Sequence, residues 1–320
     1  METNSNIESA QTEFRIDGHV DVLHEMMESH WNEPFEELSD LPVTLEKMKD
    51  SDVFAAVFAL YCPDVHNGAG SAAFLSGLLS YAEKYLQGLF HIKSAGDLND
   101  CIRLRNPGMI WLIENADALL DFDRERLVHA GIKVAGLTHM GKNRLGDGNN
   151  VPFPEGLTSK GKALVKELAK EGFAFDAAHL AEPGFRDLAR IYEGPIISSH
   201  TGVRALADIP RNLAGAQVAS IIERKGVIGI AADPRMLTLS GKASIEDMFN
   251  HIDWIAQSFG AVAIGIGSDF CGFFDANAGF EDITRLADLA GIMRRHGYPE
   301  PEIGKIMGEN WRVFYESLLG

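Results

Sequence analysis

Seven stretches of the chain are largely apolar, residues 52–61, 109–114, 133–139, 173–179, 195–200, 226–232 and 261–269, and an eighth, the mixed stretch 15–21, reads as a short strand before them. The seven lack the alternation of a half-exposed strand and predict strands of a parallel sheet covered on both faces. Between them, apolar residues recur at helical spacing over 69–89, 97–103, 116–129, 158–172, 183–192, 211–224 and 244–259. Two further helices, 281–296 and 302–318, close the chain. Strand followed by helix, repeated around the chain, is the order of a (β/α)8 TIM-type barrel with C-terminal helices. A doubly wound sheet is the runner-up, lowered by the absence of a Gly-x-Gly-x-x-Gly turn after any strand. No linker splits residues 14–320, which read as one domain, and the polar segment 1–13 is expected to be loosely ordered.

The polar residues that break this pattern stand at the ends of the runs. In the first, Arg15-Ile16-Asp17-Gly18-His19-Val20-Asp21, His19 and Asp21 are two apart and would share a face of a strand. An imidazole and a carboxylate aimed the same way suit zinc or another first-row divalent ion; the bland reading is a turn histidine bonded to a carbonyl. The run 109–114 closes on Glu114, a charge that needs a partner if buried. Its other reading is a first-turn acid for helix 116–129. His139, His179 and His200 each close a run, and Asp269 closes the last.

In a parallel barrel the carboxyl ends of all strands gather on one face, so these residues converge on one mouth. Of eleven histidines, four fall at the ends of apolar runs, and a core histidine has no reason to prefer the same end each time. His24 and His30, in the acidic 24–50 stretch broken by Pro34 and Pro42, read instead as surface or local-contact residues. Six or more nitrogen and oxygen donors exceed the needs of one tetrahedral zinc. Two ions about 3.5–4 Å apart share them better, hold a bridging hydroxide at neutral pH and polarise a carbonyl. Glu114 is the natural bridging carboxylate. Asp269 is the candidate acid/base, with capping of the following turn as its rival role.

The net charge of −17 and pI near 5.0 argue against a nucleic-acid partner, which needs clustered Lys and Arg, and no polybasic run favours a membrane surface. No run approaches the roughly 18 apolar residues of a membrane span. Three widely spaced cysteines, Cys62, Cys101 and Cys271, suggest reduced thiols and a cytoplasmic protein.

Taken in order, several segments resemble the membrane (renal) dipeptidases and their bacterial homologues, binuclear zinc enzymes of the amidohydrolase-like superfamily. These are Asp17-Gly18-His19-Val20-Asp21, Leu112-Ile113-Glu114, Leu137-Thr138-His139, Asp176-Ala177-Ala178-His179, Ile197-Ser198-Ser199-His200, Arg211-Asn212, Gly267-Ser268-Asp269-Phe270 and Gly308-Glu309-Asn310-Trp311-Arg312-Val313. The resemblance implies two Zn2+ per chain, one on His19, Asp21 and Glu114, the other on Glu114, His179 and His200. It implies that His139 contacts the scissile carbonyl, that Arg211 binds the substrate carboxylate and that Asp269 shuttles the proton. The expected activity is hydrolysis of L,L- or L,D-dipeptides with a free C-terminal carboxylate. Another amide, a lactam, a lactone or a phosphoester, and a non-catalytic metal-binding barrel, stay open. A homodimer is implied by the resemblance alone, and the lack of a secretion signal, lipid-anchor tail and disulfides resembles the bacterial cytosolic branch. Three positions depart from the family pattern: Asn115 where glycine is common, Val20 for a polar residue, and Cys271 for an aspartate. They bear on substrate preference more than on metal binding.

Overall fold

The computed structural model describes residues 14–273, 279 and 281–320, so the segment 1–13 expected to be loosely ordered lies outside the described residues. Eight parallel strands form the barrel: β1 (Arg15–Val20), β2 (Val53–Tyr61), β3 (Gly108–Glu114), β4 (Val134–Gly136), β5 (Ala174–Asp176), β6 (Ile196–Thr201), β7 (Ile228–Ile230) and β8 (Ile264–Ile266). Their order in the sheet is β2-β1-β8-β7-β6-β5-β4-β3, and pairing of β2 with β3 closes it. The architecture is a (β/α)8 barrel. A two-residue strand, Phe90–His91, adds to β3 outside the eight predicted runs.

The unbroken apolar runs are explained by packing on both faces. One buried cluster fills the barrel and includes Ile16, Val57, Leu112, Val134 and Ile197. A second, larger one lies under the surrounding helices and includes Val20, Phe58, Trp111, Phe175 and Ile266. Trp311, from the C-terminal helix Asn310–Leu319, is fully buried in the first cluster and donates its indole N–H to the Ile266 carbonyl at 2.7 Å. Gly18 is what admits it, because a Cβ there would lie 2.3 Å from the indole ring. Gly18→Ala is therefore expected to cost about 3 kcal/mol, the upper end of overpacking penalties. A urea midpoint unchanged from wild type would contradict this.

Helices differ from the sequence reading mostly where a polar residue restarts the backbone. The stretch 116–129 is split into a 3-10 turn, Ala116–Leu120, and a helix, Arg124–His129, because Asp123 caps the second piece by accepting from Glu125 N at 3.0 Å. The 211–224 helix begins only at Gly215, which leaves Arg211 on a loop. The 24–50 region holds helices Val22–Ser29 and Leu45–Asp50 around a 3-10 turn, Phe35–Glu37. A π-turn, Lys305–Glu309, interrupts the last expected helix. Among the described residues no helix is long and apolar enough to cross a membrane, and the three cysteines are free and buried.

Candidate metal centre

Two strands carry irregularities that aim their histidines into the mouth. Between its pairings Asp17↔Ala56 and Val20↔Phe58, β1 takes three steps where β2 takes two. β6 does the same against β7 between Ser198↔Ile228 and Thr201↔Ile230. An extra residue of this kind re-aims the side chains beside it. The two bulges bring the rings of His19 and His200 to a centroid separation of 3.7 Å. The expectation that His19 and Asp21 share a face of one strand is thus corrected: β1 ends at Val20, and Asp21 precedes helix Val22–Ser29 without capping it. His139, His179 and Asp269 lie beyond the ends of their strands, on loops.

Several turns at this rim use left-handed backbone. His179 (φ 62°), Asp269 (φ 64°) and Asn115 (φ 74°) all adopt it, a cost typical of functional sites. It also explains one departure from the family pattern. Position 115 needs a conformation glycine takes freely, and asparagine is the side chain that tolerates it best. Asn115 uses its amide as well: Nδ2 donates to the Cys62 carbonyl and to Asn67 Oδ1, both at 2.8 Å, and Oδ1 accepts from Asn143 Nδ2 at 2.8 Å and from Asp117 N at 3.3 Å. Asn115, not Glu114, therefore caps the following turn. Cys271 is likewise left-handed (φ 73°), and Val20 is buried in the outer core.

Glu114 faces inward and divides its two oxygens. Oε1 lies 2.8 Å from His179 Nε2 and 3.6 Å from His200 Nε2; Oε2 lies 3.8 Å from His19 Nε2. Asp21 Oδ2 is also 3.8 Å from His19 Nε2. Two three-donor groups result, His19–Asp21–Glu114 and Glu114–His179–His200, each with ligand atoms within 4.8 Å of one another and all five residues buried. Donors bound to one tetrahedral zinc at about 2.0–2.1 Å stand roughly 3.4 Å apart, which falls inside this range. A third group, His19–Asp176–His200, is different in kind. Asp176 already accepts from Ser199 N at 2.9 Å, Ala178 N at 3.0 Å and the Ser199 hydroxyl. Ser199 Oγ in turn stands 3.1 Å from His19 Nδ1 and 2.8 Å from His200 Nδ1. With the hydroxyl proton committed to Asp176, both rings put an N–H on Nδ1 and turn Nε2 to the cluster. One serine thus orients a donor of each group, a role that no sequence signal assigned to it.

The electrostatics fit a cation. Burial acts to lower the His19 imidazole, but Glu114, Asp21 and Asp269 outweigh it and push it up to about 10. Burial and Asp21 push Glu114 up to about 7, and the same two causes hold Asp269 well above the usual carboxylate range. Burial, helped by Arg211 at His179 and by His19 at His200, keeps both of these rings well below the ordinary histidine value and so neutral donors. His19 Nε2 and Asp21 Oδ1 are buried without a hydrogen-bond partner. Crowded carboxylates facing orphaned donor atoms are what a pair of divalent ions would satisfy.

The cluster floors a cleft of about 320 Å³ that His139, Arg211 and Asp269 also line, so all eight sequence-derived site residues meet except that His19 lies beneath the surface. Asp269 Oδ1 is 4.0 Å from both His19 Nε2 and His200 Nε2. Arg211 donates from Nη2 to the His200 carbonyl at 2.9 Å, and its Nε is buried without a partner. Its loop is pinned by Asn212, which accepts from Gly202 N at 3.0 Å and donates to the Ala207 and Met236 carbonyls at 2.8 and 2.7 Å. His24 lines the cleft too, edge-on to Tyr61 at 5.2 Å, while His30 keeps the local contact expected of it, with Glu33 at 3.0 Å. A larger cavity, about 520 Å³, opens beside Phe14, Arg294 and Lys305 and contains none of the three donor groups.

A parallel barrel with such a donor cluster at the carboxyl ends of its strands defines a metal-dependent hydrolase. The chain belongs to the membrane dipeptidase family (peptidase family M19), whose model matches residues 6–317, and is a metal-dependent dipeptidase of that family. It is similar in structure to a dipeptidase AC, a metallo peptidase of family M19, with TM-score 0.86 and 27% identity over 97% of this chain and 100% of the other. A metallo peptidase from Rhodobacter sphaeroides, liganded with a phosphinate mimic of the dipeptide L-Ala-D-Ala, matches with TM-score 0.84 and 26% identity over 96% and 99% of the two chains. The dipeptidase tcpJ of Claviceps purpurea is 24% identical over 92% of this chain and 74% of its own.

Proposed function

We propose that the enzyme is a binuclear zinc dipeptidase that cleaves dipeptides with a free C-terminal carboxylate, of L,L or L,D configuration. The observation that carries this is the division of Glu114: one oxygen toward His179 and His200, the other toward His19. His19, Asp21 and Glu114 would hold one ion, and Glu114, His179 and His200 the other. When bound, the pair supplies a water acidic enough to ionise at neutral pH and Lewis acidity toward the carbonyl.

The remaining steps fall to the chain itself. Arg211 presents a guanidinium fork to the substrate carboxylate, the geometry that favours arginine over lysine. His139 contacts the scissile carbonyl and stabilises the charge that develops on its oxygen. Asp269 takes the proton of the attacking water and passes it to the leaving amine. The likeness to an enzyme liganded with an L-Ala-D-Ala mimic supports inclusion of a D-residue on the C-terminal side. We read residues 14–320 as a single domain. The three buried free thiols support a cytoplasmic setting. The homodimer rests on the family resemblance and is checked by light scattering.

The test is metal content by mass spectrometry alongside a panel of L-Xaa-L-Xaa, L-Xaa-D-Xaa, C-amidated, N-acylated and lactam substrates. Two zinc ions per chain and turnover of free dipeptides are expected. Arg211→Ala should lower kcat/KM for free dipeptides about 100-fold, the scale of losing a charged hydrogen bond, while leaving amidated analogues unchanged. Equal cleavage of amidated and free dipeptides by the wild type would overturn the clamp role. Well under one ion per chain would overturn the binuclear centre.

A further inference from the structure

The contacts around His139 reach a carboxylate outside the metal cluster, Asp64. Its ring lies between two others, Tyr61 with centroids 4.7 Å apart and His179 at 4.4 Å. Such neighbours hold the plane of an imidazole. They do not decide which way it is flipped, because both flips place the same flat ring between them. What distinguishes the flips is the carboxylate of Asp64, on the loop after β2, whose Oδ2 lies 3.4 Å from His139 Nδ1. Only one flip places a ring nitrogen beside it.

Asp64 is itself fixed. Its Oδ2 accepts from Gly141 N at 2.8 Å and its Oδ1 from Asn67 Nδ2 at 3.1 Å. Asn67 receives Asn115 Nδ2, and Asn115 is the left-handed residue that follows Glu114. The loops after β2, β3 and β4 are thereby joined through one polar chain. Gly141 leaves the room for it, since a Cβ at that position would meet Asp64 Oδ2 at 2.8 Å.

We propose that Asp64 is the positioning residue for His139: it engages Nδ1, selects the ring flip and leaves Nε2 as the nitrogen offered to the substrate carbonyl. This rests on the carbonyl-contacting role given to His139 above. An acceptor-only carboxylate at Nδ1 calls for a proton there, and donation to the carbonyl oxygen calls for a second on Nε2, so the ring that acts is the one carrying both.

The test is a double-mutant cycle on the zinc-loaded enzyme, with metal content measured for every variant. Asp64→Ala is expected to lower kcat about 10- to 100-fold, the scale seen when an orienting partner is removed, with KM and zinc content near wild type. The same change in a His139→Ala background should cost nothing further, because Asp64 acts through that ring. Gly141→Ala, which keeps the carboxylate and displaces it, should reproduce the loss. Long-range proton–nitrogen correlation spectra of His139 supply a readout independent of turnover. A protonated Nδ1 is expected in the wild type, and a shifted signal in Asp64→Ala. Additive losses in the cycle, lost zinc, or an unshifted His139 signal would overturn the proposal. Absence of dipeptide turnover in the wild type would instead overturn the functional reading and leave the spectroscopic comparison to judge Asp64.

Discussion

Glu114→Ala is expected to reduce kcat/KM by about 10³-fold or more and to lower zinc content below two ions per chain. Glu114 is the one side chain common to both donor groups, so its removal would take a ligand from each ion of the proposed pair at once. The Lewis acidity lost is worth several kcal/mol, and each 1.36 kcal/mol is a factor of ten in rate. The more conservative Glu114→Gln keeps the volume but supplies a neutral amide, and should fail for the same reason. Removing any other donor touches only one group and should release one ion more readily than the other. Metal analysis after dialysis, run beside dipeptide turnover, checks both statements. Two tightly held ions in Glu114→Ala would show that the bridge lies elsewhere.

Asp269→Asn should separate catalysis from metal binding. Asp269 faces the cleft near both His19 and His200 yet belongs to neither group on Glu114. An asparagine keeps its shape and cannot carry a proton. A fall in kcat of about 10³-fold is expected, within the range for loss of a general acid–base group. Zinc content should stay at two ions and KM should change little. Release of an ion would recast Asp269 as a ligand, and unchanged kcat would remove it from the proton path.

The barrel and most of the residues that line its mouth were legible in the chain because two simple periodicities were kept intact. Runs such as Val53–Tyr61 and Gly108–Glu114 are apolar throughout since both faces are buried, and polar groups at their ends then stand out. Glu114, His139, His179, His200 and Asp269 could all be picked out in this way. Element boundaries were less legible. Asp123 divides 116–129 by capping a new helix, and Asn212 holds Arg211 on a loop through bonds to Gly202, Ala207 and Met236, contacts that no local pattern encodes.

The sequence by itself determined the class of fold, the face on which donors collect and their chemical types, because strand order in a parallel barrel brings strand ends together whatever the details. Only the tertiary structure decided how those donors divide and what aims them. The bulges in β1 and β6, the Ser199 hydroxyl shared by His19 and His200, and the Asp64 contact to His139 each join segments far apart in the chain. Such contacts depend on register and on side-chain direction to within an ångström. Hydrophobic periodicity, which reports only which face is buried, does not carry that information.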